Sequence, residues 1–208
     1  MRKNTRDGWR RCVRAACRSC GATLLELLLV LALSAAAASA AVPLTTTALD
    51  EVRTAMAARY LQSSLFNARM QAVRRSARVA LRFEAWEEDY RFAEYVDGNG
   101  NGVRTADITA GVDRQLGPRR LLRDEFAGVR FGLHPDVPDL DGSRSAERSD
   151  GVRIGASRIL SLGPDGTATS GTLYIQGRRS QYAVRVLGAT GRTRVLRFDR
   201  GSGQWTSR

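Results

Sequence analysis

The chain has 208 residues, 43% of them hydrophobic, and sets 33 Lys and Arg against 21 Asp and Glu for a formal charge of +12. One histidine, no Gly-x-Ser-x-Gly and no glycine-rich loop followed by lysine leave hydrolytic and nucleotide chemistry without visible support. All three cysteines, Cys12, Cys17 and Cys20, fall in the first 21 residues, so the remainder offers no disulfide and no thiolate metal site.

Residues 1–21 hold seven Lys and Arg and one Asp, half of the basic excess. That density reads as a targeting signal, kept in the cytoplasm, rather than a nucleic-acid footprint. From Ala22 to Leu44 the one charged residue is Glu26. A helix of that length covers roughly 30 Å, enough to cross a bilayer core. A carboxylate at that depth costs on the order of a few kcal/mol and calls for a partner. The small residues of Ala35–Ala41 also fit the cleavage site of an ordinary secretory signal, but a Glu inside its apolar region argues against it. A plain anchor leaves Glu26 unexplained. The Arg-rich residues before Cys20 exclude a lipoprotein signal.

Residues 45–76 follow as an amphipathic helix. Leu49, Val52, Met56 and Tyr60 recur at steps of three and four, as do Leu61, Leu65, Ala68 and Ala72. Both sets are expected to rest on a sheet. With the membrane segment they form one rod of about 50 residues, kinked at Pro43. From Arg78 the period changes to two. Runs at Val79–Phe83, Tyr90–Tyr95, Val129–Leu133, Arg158–Leu162, Thr172–Gln176, Tyr182–Leu187 and Arg194–Phe198 predict about seven half-buried antiparallel strands. Pro164-Asp165-Gly166 and Gly188–Gly191 mark turns between them. The fold class is α+β, a long N-terminal helix on an antiparallel β domain spanning 77–208.

Three groups carry candidate chemistry. Asp97, Asn99, Asn101 and Asp107 place oxygen ligands through a Gly-rich loop like the first half of a calcium-binding loop. The twelfth position is Ile108 rather than Glu, and a plain connector explains the loop equally well. Asp136, Asp139 and Asp141 sit in a second polar loop, and His134 beside Pro135 reads as structural. Arg192 and Arg194, with Arg197, Arg200 and Arg208 further on and Arg178, Arg179 and Arg185 before them, form a basic region suited to phosphate contact or to a solvated strand face.

The basic leader, Gly21, the run Ala22-Thr23-Leu24-Leu25-Glu26 and the apolar stretch after it resemble the processing signal of type IV pilins and type II secretion pseudopilins. The resemblance implies a leader at 1–21, a transmembrane helix half at 22–44 and an amphipathic half at 45–76. It implies cleavage after Gly21, N-methylation of Ala22 and an assembly role for Glu26. Ala22 departs from the Phe or Met usual at that position. Pro43 would be the twenty-second residue of the mature chain, where many pilins also carry a proline. Tyr95-Val-Asp-Gly-Asn-Gly-Asn-Gly, Leu162-Gly-Pro-Asp-Gly-Thr and Gly191-Arg-Thr-Arg-Val are similar to the GspH/FimT group of minor pseudopilins. That group implies a non-enzymatic subunit of a type II secretion pseudopilus, in the inner membrane, with its C-terminal domain periplasmic. Its partners would be other pseudopilins or pilins and the prepilin peptidase, with no cofactor unless calcium binds. The alternative is a FimT-type minor pilin that binds DNA through Arg192 and Arg194.

Overall fold

The computed structural model describes residues 23–141 and 150–207, with side chains at 40–44 excepted. A long helix, α1, runs Leu24–Arg75, and the helical assignment passes through Pro43 without a break. Two compact units divide at that residue, Met1–Pro43 and Leu44–Arg208.

In the first unit, Thr23 caps α1. Its Oγ1 accepts the Glu26 N–H at 3.2 Å, satisfying one of the orphan donors of the first turn. Thr23-x-x-Glu26 is the sequence form of a capping box. Leu24, Leu25, Leu27, Leu28, Leu29, Val30, Leu31 and Leu33 are all exposed, so this stretch of helix has no polar face. Among the described residues, no helix is long and apolar enough to cross a membrane. The part of the apolar stretch described with side chains, 23–39, reaches roughly 25 Å, short of a bilayer core. Ala22 and the side chains of 40–44, which complete the predicted span, lie outside it.

In the second unit, two antiparallel sheets pack on one face of α1. Ser76, in the left-handed region at φ 49°, ends the helix, and the Ala77 N–H bonds back to the Ala72 carbonyl. Strands β1 (Val79–Trp86) and β2 (Asp89–Val96) form a tight hairpin. A short helix α2 (Thr105–Thr109) follows, then β3 (Arg114–Gln115), β4 (Arg120–Leu121), helix α3 (Leu122–Glu125) and β5 (Arg130–Phe131). After residue 151 come β6 (Val152–Arg153), β7 (Ile159–Leu162), β8 (Gly171–Gln176), β9 (Gln181–Leu187), β10 (Arg192–Asp199) and β11 (Gln204–Ser207). The first sheet has the order β3-β2-β1-β7, with β4 also on β2. The second has β11-β10-β9-β8-β5, with β6 also on β8.

Each predicted strand run is found, and the two turns lie where Pro164–Gly166 and Gly188–Gly191 placed them. The Val129–Leu133 run keeps only Arg130–Phe131 as strand: the Gly132 N–H still bonds the Tyr174 carbonyl, but the Tyr174 N–H goes to the Gly151 carbonyl and the Gly132 carbonyl takes the Gln181 side-chain amide, which ends the ladder.

One core joins the helix to both sheets. Ala57, Ala58, Leu61, Leu65, Ala68 and Ala72 meet Val79, Leu81, Phe83 and Phe92 of the first sheet. The same helix face meets Leu173, Ile175, Tyr182, Val184, Val186 and Val195 of the second. Alanines on the helix allow the sheets a close approach, while the bulk comes from the strands. Phe131 stands edge-on to both Phe83 and Phe92, at 5.6 and 6.1 Å between ring centres. The outer faces carry smaller clusters. Tyr95 and Val103 lie on the first sheet with Ile108 of α2, and Tyr174, Phe198 and Leu133 lie on the second with Trp205 of β11.

One of the two predicted helix stripes reaches the core only at Tyr60, which packs on Phe126. Leu61, Leu65, Ala68 and Ala72 are buried, but Leu49, Val52 and Met56 are exposed. The buried side of that first stretch is made by Asp50, Thr54, Ala57 and Ala58 instead. A polar pair was placed in the core because its groups are matched. Asp50 is 8% exposed, and its carboxylate accepts the backbone N–H groups of Arg178 at 2.7 Å, Arg179 at 2.9 Å and Ser180 at 3.0 Å. The Thr54 hydroxyl donates to the Asp50 carbonyl at 2.7 Å. The β8–β9 turn is thus held on a helix side chain. Gly177 leads into it where a Cβ would run into Thr54 Oγ1 and Asp50 Oδ1.

Burial by itself raises the Asp50 carboxyl pKa, but the N–H groups of Arg179, Arg178 and Ser180 outweigh it and leave the group below the usual carboxylate value. Its contribution to stability is therefore present above about pH 4 and lost as pH falls through the lowered value. Asp50→Asn replaces one acceptor oxygen by a donor facing N–H groups. It should cost about 2–4 kcal/mol at neutral pH. In urea melts the gap to the parent should narrow below pH 4, and a gap that stays constant down to pH 2 would remove the charge from the account.

Candidate functional site

The exposed side of α1 within Leu44–Arg208 is the largest feature that the fold does not use. Leu49, Val52, Met56, Phe66, Met70 and Val73 follow steps of three and four, broken by one longer step. They lie on the helix face opposite Leu61, Leu65 and Ala68. Phe66 is 60% exposed and Val52 54%. A shallow apolar depression runs along this side between Ala48, Val52, Ala55 and Met56, with Glu51 and Arg59 at its rim. Glu51 is held by Arg197 of β10 at 2.9 Å. Two exposed apolar patches in line on one face, rimmed by charge and separated by Arg59 and Ser63, mark a contact surface rather than scattered surface hydrophobes.

The processing residues Gly21 and Ala22 lie outside the described residues. Glu26 is placed at the third position of α1, where its N–H is capped by Thr23. That bond uses the backbone N–H of Glu26 and the hydroxyl of Thr23, so the cap belongs to Thr23.

The loop with the calcium-like spacing is tied up by its own backbone. Asp97 Oδ1 accepts from the N–H groups of Asn99 and Gly100, and Oδ2 from Gly102 at 2.7 Å. Asn99 Oδ1 accepts the Asn101 N–H at 3.1 Å. Gly100 and Gly102 both have positive φ, which this winding requires. Asp107 sits in α2, and its backbone carbonyl accepts from Val112 and Asp113. The closing carboxylate is Asp113, buried, which accepts from the Gly98 N–H at 3.1 Å and the Arg104 N–H at 2.9 Å. Asp113 was missed because it falls outside any twelve-residue window starting at Asp97. Among the described residues, no group of three or more His, Cys, Asp or Glu side chains is placed to hold a metal ion.

Arg192 and Arg194 are exposed on the same face of β10, two residues apart. Arg194 stands opposite Arg185 of β9, and the Arg185 guanidinium pairs with Asp141 at 2.9 Å. Arg197 points to the other face and pairs with Glu51, so it does not join them. Arg200 pairs with Asp136 and bonds the Arg179 carbonyl. Of the predicted basic region, the structure therefore groups Arg192, Arg194 and Arg185 and separates Arg197 and Arg200. Burial and the nearby Arg200 push the His134 pKa down, and Gln176 Nε2 lies 3.1 Å from its Nδ1. The ring props the 133–137 loop and faces no cluster of reactive groups.

A family model described as type II transport protein GspH matches residues 57–191, from the buried half of α1 through the β9–β10 turn. No curated protein and no solved structure matches the chain.

Proposed function

This chain belongs to the GspH family of type II transport proteins, and from that premise we propose that it is a minor pseudopilin, a filament subunit serving protein export. The family is one of structural pseudopilins rather than enzymes. The observation that carries the finer reading is the exposed apolar row of α1, Leu49 to Val73, on the side of the helix that its own sheets leave open. Burying such a row against a neighbouring subunit is worth on the order of 25 cal/mol per Å² of apolar surface. A domain already closed around its own core has no other use for it.

The N-terminal part fits the same reading. Apart from Glu26, Leu24–Leu33 is apolar on every side, as expected of a helix surrounded by lipid or by other helices. In this proposal the leader is cut after Gly21, Ala22 is methylated, and the remaining helix holds the chain in the inner membrane with the β domain outside. Glu26 then offers a carboxylate to the amino group of Ala22, its own or a neighbour's, in surroundings of low dielectric. Mass spectrometry of membrane-extracted protein should find methyl-Ala22 as the first residue. A mature chain starting at Val42 would replace this reading by ordinary secretion.

A variant carrying Val52→Asp and Phe66→Asp tests the surface itself. Both positions are exposed, so the melting temperature should stay within a few degrees of the parent. Incorporation into filaments, measured by shearing and immunoblotting, should fall at least about tenfold, since charges would be buried between helices. Full incorporation would refute the apolar row as the assembly contact.

The grouping of Arg192, Arg194 and Arg185 favours one second reading, a FimT-type minor pilin that takes up DNA. Arginine forks suit phosphates, and no aromatic platform for bases accompanies them. Duplex binding would then weaken log-linearly with salt, with a slope of about −0.9 for each phosphate neutralised. Arg192→Ala with Arg194→Ala should flatten that slope by about two. For an export pseudopilin the double variant should change little, and that is the expected outcome.

A further inference from the structure

The tip of the β1–β2 hairpin overhangs a cleft of about 860 Å³, between Ala85 and Tyr90 on one wall and Arg130, Asp150 and Arg158 on the other. The volume lies in the range of ligand-binding clefts, and neither the apolar row of α1 nor the arginines of β10 touch it. Its carboxylates are matched one by one. Glu87 pairs with Arg123 at 2.7 Å, Glu88 with Arg130 at 3.5 Å and Asp150 with Arg158 at 2.9 Å. The Tyr90 hydroxyl also donates to Asp150, at 2.8 Å.

Asp89 breaks the pattern. It lines the same cleft and is 4% exposed. Its Oδ1 accepts the N–H groups of Tyr90 at 2.8 Å and Phe131 at 2.9 Å, which joins the hairpin to β5. Its Oδ2 is shut away from water and has no hydrogen-bond partner among the described residues. A buried carboxylate oxygen left unmatched is costly, and native structures rarely tolerate one without a use. Burial pushes the Asp89 carboxyl above the usual range, with the two N–H groups, Arg123 and Arg130 pulling the other way. Both arginines are already engaged by Glu87 and Glu88.

We propose that this cleft is a docking site for an arginine or lysine side chain of a partner protein, with Asp89 as the counter-charge. Among the described residues, the lining of the cleft sets Arg130 and Arg158 against Glu87, Glu88, Asp89 and Asp150, and Arg123, outside the lining, answers Glu87. With Oδ1 taken by two N–H groups, a guanidinium entering between the hairpin and Arg130 has one bond to add, to Oδ2, and adds it by displacing the groups that cover that oxygen. The Tyr90 ring supplies an aromatic wall of the kind that Arg158 already covers on one side, 5.2 Å from its centre. A neutral donor such as glutamine would leave the charge uncompensated, and an acidic side chain would add repulsion. The site is separate from the α1 row and does not rest on filament assembly.

The test is an NMR titration of the full chain in detergent micelles with N-acetyl-Gly-Arg-Gly-amide and its Gly-Gln-Gly counterpart. The arginine peptide should give saturable shifts at the amides of Tyr90, Phe131 and Gly132, and the glutamine peptide none. Asp89→Asn keeps the Oδ1 acceptor and removes the charge; it should weaken binding at least about tenfold. Ala85→Arg, at an exposed position on the cleft wall, should weaken it severalfold by supplying a competing guanidinium. Should Asp89→Asn lose its dispersed spectrum, Ala85→Arg alone decides. Equal shifts from both peptides, or parental affinity in Ala85→Arg, would overturn the proposal.

Discussion

Everything in the β domain is registered on one carboxylate. The apolar packing of α1 against the sheets is made on the helix side by alanine, leucine and small polar residues, a smooth stripe that fixes distance better than axial position. Asp50 supplies the direction that dispersion lacks. Three N–H groups of the β8–β9 turn converge on it, and a glycine precedes that turn because the helix is too close for a Cβ. The neighbouring side chain of Gln181 extends the same arrangement. Its amide donates to the carbonyls of Gly132 and Ile175, and its oxygen accepts the His134 N–H. A helix, a hairpin and the strand beside it are thereby locked into one register by polar groups that are almost fully buried.

The division of α1 into two faces follows from that choice. With Asp50 and Thr54 committed to the core, Leu49, Val52 and Met56 have to point away from it. The helix is thus apolar on both sides near its middle, and this is where the sequence pattern misled. A period of 3.6 reports which residues share a face but cannot say which face is buried when both are apolar. The second stripe was read correctly, with Arg69, Arg74 and Arg75 among the positions off it, but the exposed Phe66, Met70 and Val73 opposite it were not read as a face. Strands were legible from their alternation, since the inner residues Val79, Leu81 and Phe83 are bounded by polar or small neighbours. The two-residue strands β3, β4 and β6 carry no such signal, and β11 was hidden because Gln204–Ser207 offers a single large apolar residue, Trp205.

The sites divide in the same way. Residues whose role is local, such as Asp97 turning its own loop, gave a readable spacing, and Asp97 meets the backbone N–H groups of that same loop. Residues that act across the fold gave none. Asp50, Asp113 and Asp89 are ordinary acids in the sequence, and what distinguishes them is which distant N–H groups they meet. Arg192 and Arg194 were found by composition, but only the pairing of β9 with β10 shows that Arg185 joins them and Arg197 does not.

The contacts of α1 with the late part of the chain bear on the order in which the protein is completed. Asp50 meets residues 128 to 130 positions later, and Glu51 meets Arg197 146 positions later. A ribosome adding roughly 5–20 residues per second would leave the helix waiting many seconds for its partners. During that time the stripe meant for the sheets and the row on the opposite side are both uncovered. A nascent chain in this state is an aggregation hazard in water. Keeping its first helix in a lipid or chaperone environment until Trp205 has closed the outer layer would remove the hazard, so slow closure and an early apolar anchor are mutually compatible traits of this topology.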